Sequence, residues 1–347
     1  ANEAEHRTVR EAVGVMDMSF MAKILVQGPG ALALLEKVSV SRIDVPIGKV
    51  VYTQWLTPRA GIWTDLTVTR LAEDRFLVVG ADVIHRRMLT WLRRHADDGA
   101  YVAITDVTPQ TTLLSVQGPR SRDLLSRLTT TDLSNEAFPY MTARPIDVGH
   151  GEALALRVTY LGELGWELHV PNDFALTVFD ALFEAGADLD VANAGLLALN
   201  SLRLEKAYRD YGLDIDNEDT PIDVGLDFTV AWDKPGGFVG RDALVAQRDA
   251  GVRTSRMVQV LVEDPQPLLY AHEQLYRDGE RVGENRNGAY GFTLGGAVGL
   301  AIVERDHDIS DDWLAGGTWE LDIVGERYPA RISLEPMYDP KRLRIKA

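Results

Sequence analysis

The stretch KILVQGPGALALLEKV at residues 23–38 returns as LLSVQGPRSRDLLSRL at residues 113–128. Each copy reads as a strand, a Gly-Pro turn and a helix, and each follows an aspartate at a similar distance, Asp17 and Asp106. Two such units predict a duplicated building block whose strands and helices pack as pseudo-symmetric layers. The turn is not a phosphate loop, because it lacks both the Lys-Ser/Thr ending and the third glycine of a dinucleotide fingerprint.

Around the repeat, helical and strand patterns mix without regular alternation, which predicts an α+β fold rather than a doubly wound sheet. Helical spacing marks residues 82–97, which are strongly basic on one side, and also 172–188 and 194–208, with Asn172 as an N-cap candidate. Hairpins are signalled by RLAEDRFLVVG, RVTYLGELGWELHV and QLYRDGERVG, the last through its Asp278-Gly279 turn. After about residue 252 the pattern becomes short strands and turns, which predicts a barrel-like C-terminal β domain. A chain of 347 residues exceeds the usual single-domain size.

Charge and residue usage exclude several functions. A net charge of −16 argues against nucleic acid and anionic membranes as partners. With no cysteine, disulfides, thiolate metal sites and a cysteine nucleophile are excluded. No apolar run reaches the length of a membrane span, and the charged start lacks a signal-peptide core, so a soluble, cytoplasmic protein is expected. The seven histidines show no paired metal spacing, and there is no GxSxG elbow.

Three stretches can carry chemistry. In AGIWTDLTVTRL (60–71), alternation puts Asp65, Thr67 and Thr69 on one face and Leu66 and Val68 on the other. That polar face either meets water or lines a pocket. In YLGELGWELHV (160–170), Tyr160, Glu163 and Glu167 surround a glycine-rich turn, and Glu167 alternates with Trp166 and Leu168. Residues 201–228 carry seven acids between Glu205 and Asp223, but without the glycine and closing glutamate of an EF-hand, so a solvated acidic loop without a tightly held metal is expected.

These stretches, with VQGPGAL, SLRLEKAYRDYG, DTPIDVGLDFTVAWDKPGGFVGRDAL, GAYGFT and EPMYDPKRLRIK, resemble the aminomethyltransferase (glycine-cleavage T-protein) family from about residue 10 to 345. The resemblance is nearest to the folate-binding half of dimethylglycine oxidase and sarcosine dehydrogenase. It implies a three-domain cloverleaf around a central cavity for tetrahydrofolate. The division expected is a discontinuous folate-binding core of residues 1–53 and 145–250, a second α+β domain of 54–144, and a barrel-like domain of 251–347.

The resemblance further implies that Asp65 lies beside the folate nitrogens that receive carbon and that Glu167 holds the pterin ring. It places Tyr160 in the same catalytic site, with Met21, Trp63, Thr67 and Arg203 as folate-binding positions. The implied activity is transfer of a methyl or methylene group from an N-, O- or S-methylated small molecule to tetrahydrofolate. Leu199 and Asn200 replace an Arg-Asp pair usual in glycine-cleavage members, which disfavours a lipoyl-protein partner. A separate flavin oxidase is then the partner implied for capture of an iminium or formaldehyde. The competing class is a non-catalytic folate-binding subunit of a flavoprotein oxidase complex.

Overall fold

The computed structural model describes residues 1–347. From the N-terminus run α1 (Asn2–Glu11), β1 (Val13–Asp17), β2 (Ala22–Gln27), α2 (Ala31–Val38) and β3 (Val50–Leu56). Then come β4 (Ile62–Ala72), β5 (Arg75–Gly80), α3 (His85–His95) and β6 (Ala103–Asp106). The second copy supplies β7 (Thr111–Gln117), α4 (Ser121–Ser126), β8 (Ala143–Val148), β9 (Gly151–Leu156) and β10 (Gly165–Pro171). It continues through α5 (Ala175–Ala185), β11 (Val191–Asn193) and α6 (Leu196–Glu205), and α7 (Arg241–Ala250) leads to the C-terminal part. There β12 (Ser255–Val262), β13 (Gln274–Arg277), β14 (Glu280–Gly291) and β15 (Gly296–Glu304) precede α8 (Asp311–Ala315), β16 (Trp319–Ile323) and β17 (Glu326–Ser333).

The strands form two open sheets and one barrel. One sheet has the order β3-β4-β5-β2-β6, the other β11-β1-β7-β10-β9-β8, and the barrel closes as β12-β15-β14-β13-β16-β17. The α+β class and the C-terminal barrel are therefore as the sequence predicts. Each repeat builds its own sheet: β2 turns into α2 through Gly28 (φ 116°), and β7 turns into α4 through Gly118 (φ 137°). A Cβ on Gly28 would lie 2.3 Å from the Tyr101 carbonyl oxygen, and one on Gly118 2.3 Å from that of Ala12. Both turns therefore need glycine for its backbone angle and for its lack of a side chain.

The chain changes sheets after each repeat-preceding aspartate. Strand β1 ends at Asp17 in the six-stranded sheet and β2 begins in the five-stranded one, while β6 ends at Asp106 in the latter and β7 returns to the former. In each case the carboxylate caps the bend by accepting from a backbone N–H two residues on, Ser19 at 2.9 Å and Thr108 at 3.0 Å.

This exchange corrects the expected domain division. A boundary at residues 53/54 would cut β3, which pairs with β4 from Val50 to Leu56. Residues 22–106 share a core with 207–244: Ile24, Leu66 and Val78 pack in one cluster with Tyr211, Val224 and Leu244. The second core joins Val15 to Leu114, Trp166 and Val178. Of the hairpin expected over residues 157–170, the stretch 157–164 is irregular and only Gly165–Pro171 forms a strand, β10. Buried Arg10 holds that loop through the Leu161 carbonyl (2.7 Å) and the Glu163 carboxylate (3.0 Å). Asn172 does not cap its helix; its amide bonds the Pro109 carbonyl at 2.7 Å and its oxygen accepts from Thr112 at 3.0 Å.

Candidate functional site

Each open sheet buries one face under its own helices. The other face of the six-stranded sheet packs partly on α1 and α6 through Met16 and Leu113 and carries Glu167, which feels the Lys23 ammonium of the five-stranded sheet. On β4, Ile62, Thr64, Leu66 and Val68 are buried, whereas Trp63, Asp65 and Thr67 on the opposite face are half-buried. Register lines up Tyr52 with Thr67, Thr67 with Val79 and Val79 with Lys23, so one row of side chains crosses four strands of this wall. Asp65 lies two residues along from Thr67 and is thus the diagonal neighbour of Tyr52. The Tyr52 hydroxyl donates to Asp65 Oδ2 at 2.7 Å. Burial pushes the Asp65 carboxyl up to about 6; the Tyr52 bond opposes the rise and the negative charge of Asp210 adds to it. Asp65 thus keeps some accessible surface although its carboxyl is strongly desolvated.

The facing wall is the six-stranded sheet. Glu167 on β10 lies between Ser115 of β7 and Leu156 of β9. Burial pushes its pKa up to about 7, against a weaker pull from the Lys23 ammonium of the other sheet. Lys23 itself is fully buried, with its ammonium on the carbonyls of Ser19 (2.9 Å) and Met21 (3.1 Å). Met21 packs with Tyr160 against a small apolar cluster. The Tyr160 hydroxyl donates to the Arg209 carbonyl at 2.7 Å, and its ring stacks on Tyr208 with centroids 6.3 Å apart. Burial holds the Tyr160 phenol well above its usual pKa, so the hydroxyl stays neutral. Trp63 is sandwiched between Trp91 (4.5 Å) and the Arg87 guanidinium (4.2 Å), with its indole N–H buried and unpartnered.

Of the seven predicted positions, Asp65, Trp63 and Thr67 share one face of β4, Glu167 stands on the other sheet, and Met21 and Tyr160 pack on one apolar cluster. Arg203 stands apart. Its guanidinium is fully buried, bonded to Asn200 Oδ1 from Nε (3.0 Å) and Nη2 (2.6 Å), to the Tyr208 carbonyl (2.9 Å) and to Asp214. Every nitrogen is engaged, so Arg203 braces the wall from behind rather than reaching a ligand. The acidic loop is likewise less wet than expected: Asp214 is fully buried on Arg203, and Asp219 approaches Arg286 at 3.6 Å. No group of three His, Asp or Glu side chains is placed to hold a metal ion.

Tyr52, Lys23 and His169 flank these positions without having been singled out from the sequence. Strand pairing alone brings Tyr52 to Asp65, and only the approach of the two sheets brings Lys23 to Glu167. The barrel is tied to this assembly through Glu205, which accepts from Arg10 (3.0 Å) and from the backbone of Thr293 (2.7 Å) and Leu294 (3.1 Å). No helix is long and apolar enough to cross a membrane.

Known proteins share this arrangement. Residues 1–234 match the family described as GCVT N-terminal domain, and residues 256–339 match the glycine cleavage T-protein C-terminal barrel domain. The chain is 44% identical to 4-methylaminobutanoate oxidase (formaldehyde-forming) of Paenarthrobacter nicotinovorans, over 99% of this chain but only 40% of that protein. It is 35% identical to an aminomethyltransferase of Halothermothrix orenii, over 87% of this chain and 83% of the relative. The glycine cleavage system aminomethyltransferase T of Bartonella henselae superposes with a TM-score of 0.85 at 26% identity, covering 98% of this chain and 90% of the other. Paired sheets and an appended barrel are thus a shared architecture, and this chain belongs to the aminomethyltransferase (glycine-cleavage T-protein) family.

Proposed function

We propose that a cleft between the two sheets binds tetrahydrofolate and that the chain transfers a one-carbon unit to it from an N-, O- or S-methylated small molecule. The observation that carries this reading is the pair of desolvated carboxylates on opposite walls, only one of which the protein itself supplies with a donor. The pterin edge offers two adjacent N–H groups, and the Glu167 carboxylate can accept both in parallel. Only burial and Lys23 govern Glu167, so its lone pairs are free for such a ligand. The unpartnered indole N–H of Trp63 is a second polar atom that a bound molecule can satisfy.

When bound, tetrahydrofolate supplies the two nitrogens that accept the carbon. Capture of an iminium unit by those nitrogens would release the free amine and one proton, whereas capture of formaldehyde would release water, with a proton relayed from nitrogen to the leaving oxygen. Asp65 takes or relays that proton, and its pKa near 6 suits proton transfer close to neutral pH. Its charge also stabilises cationic character during the hand-over. Tyr52 fixes the carboxylate, and Tyr160 orients the ligand as a neutral wall.

The formaldehyde-forming activity of the 4-methylaminobutanoate oxidase relative favours a unit at the formaldehyde level drawn from an N-methylated amine. A flavin oxidase activity would then supply it. Titration calorimetry with tetrahydrofolate tests binding, and product analysis with N-methylated donors, with and without a flavin oxidase, tests transfer. Folate binding without transfer from any donor would favour the non-catalytic subunit. Absence of folate binding would overturn both readings.

A further inference from the structure

His169 is the polar group that the fold leaves least explained. It is 4% exposed, and neither ring nitrogen has a hydrogen-bond partner. Its strand neighbours are Leu113 on β7 and Leu154 on β9, which offer no polar side chain. Lys23 approaches from the facing sheet, but its ammonium is committed to the Ser19 and Met21 carbonyls. Burial holds the imidazole neutral, with its pKa pushed down to about 3. The ring therefore carries one N–H donor and one acceptor, both idle, and an idle buried polar group is costly to a fold.

Position says what could use it. His169 is two residues beyond Glu167, so the two side chains leave the same face of β10 about 7 Å apart along the strand. If the proposed folate reading holds, Glu167 accepts from the 2-amino group and from N3–H of the pterin. The next atom on that ring edge is the 4-oxo oxygen, an acceptor. A donor–donor–acceptor edge requires an acceptor–acceptor–donor surface, and Glu167 supplies only the first two parts. We propose that His169 supplies the third, donating a ring N–H to the 4-oxo oxygen, and so selects 4-oxo over 4-amino pterins.

Calorimetry with tetrahydrofolate and with its 4-amino analogue, on the wild type, His169→Phe, His169→Asn and Glu167→Gln, tests this. His169→Phe keeps ring size and burial but removes the donor, and thermal melting checks its fold. Tetrahydrofolate affinity is expected to fall about tenfold or more, the 4-amino analogue to lose less than threefold, and His169→Asn, which keeps an N–H, to recover part of the loss. Unchanged tetrahydrofolate affinity in a folded His169→Phe, or equal losses for both ligands, would overturn the assignment of His169 alone. No binding by the wild type would instead overturn the folate reading and this inference with it. Should His169→Phe not fold, His169→Asn decides: preference for the 4-oxo ligand kept supports the donor role, and preference lost overturns it.

Discussion

Strand for strand, β3-β4-β5-β2 of one sheet corresponds to β8-β9-β10-β7 of the other, with β6 and β1 as the next neighbours. Aligning the repeats on their shared Val-Gln-Gly-Pro places Lys23 opposite Leu113 in the comparison. Lys23 pairs with Val79 and Leu25 with Leu77, whereas Leu113 pairs with His169 and Ser115 with Glu167. The first copy thus carries its charge on the central strand beside two apolar residues. The second carries its ionisable groups on the neighbouring strand, opposite Leu113 and Ser115. Duplication yields two like walls, but chemistry needs unlike ones, and the copies have diverged so that Lys23 meets Glu167 across the gap. Asp65 has no counterpart in this exchange, since it sits on β4, one strand further out.

If that asymmetry divides the labour between walls, substitutions on the two sides must fail differently. Asp65→Asn is expected to fold and to bind tetrahydrofolate within a few-fold, while turnover at saturating folate drops by roughly 10² to 10⁴. Wild-type turnover in a folded variant would remove Asp65 from the chemistry.

Glu167→Gln should show the opposite split. It turns an acceptor into a donor facing pterin N–H groups, so folate binding should weaken by roughly 2–5 kcal/mol in calorimetry. The same residue predicts a pH signature. The ionised carboxylate is the form that accepts hydrogen bonds, so affinity should be full above its pKa of about 7 and weaken as pH falls through it. Between pH 8 and 6 the expected loss is about tenfold, and it should vanish in Glu167→Gln. For the ligand-free fold the sign reverses. A carboxyl with a raised native pKa binds protons more readily when folded, so its burial costs most above pH 7 and is relieved as pH falls towards 5. A melting series on wild type and variant separates the two effects.

Tyr52→Phe sharpens the Asp65 side. Loss of the 2.7 Å bond should cost about 1.5–3 kcal/mol in the step that needs the ionised carboxylate. Because that bond holds the pKa down, the midpoint of the turnover–pH profile should also move upward. An unchanged midpoint would show that Tyr52 does not tune Asp65. The smallest effect belongs to Asp216→Asn. Its exposed carboxylate sits 4.0 Å from Arg286, so stability by denaturant titration should stay within about 0.5 kcal/mol, and dialysis against EDTA should leave it unmoved.

How far the sequence spoke for itself follows from the same comparison. The repeat, the barrel and the half-polar strand around Asp65 are local patterns, legible from spacing. The domain boundary was not, because the bends after Asp17 and Asp106 look like any other turn and nothing local says that the chain leaves its sheet there. Asp65 and Glu167 stood out through alternation and through resemblance to a family. Tyr52 needed the register of two strands, and Lys23 and His169 needed the approach of two sheets, neither of which is written in one stretch. Arg203 shows the converse limit: its place in a recognisable helix did not reveal that Asn200, Asp214 and the Tyr208 carbonyl would claim its guanidinium.

The exchange of strands between sheets also sets the order in which this molecule can be made. Strand β1 emerges from the ribosome before its partners: its antiparallel partner β7 comes about a hundred residues later, and its parallel partner β11 later still. At usual synthesis speeds β1 waits on the order of 5–20 s with both edges unpaired. The five-stranded sheet, complete at Asp106, can pair all its strands while its sister is still being translated. The wall bearing Asp65 is therefore a template on which the wall bearing Glu167 closes, and the cleft comes into being only with that second, long-range step.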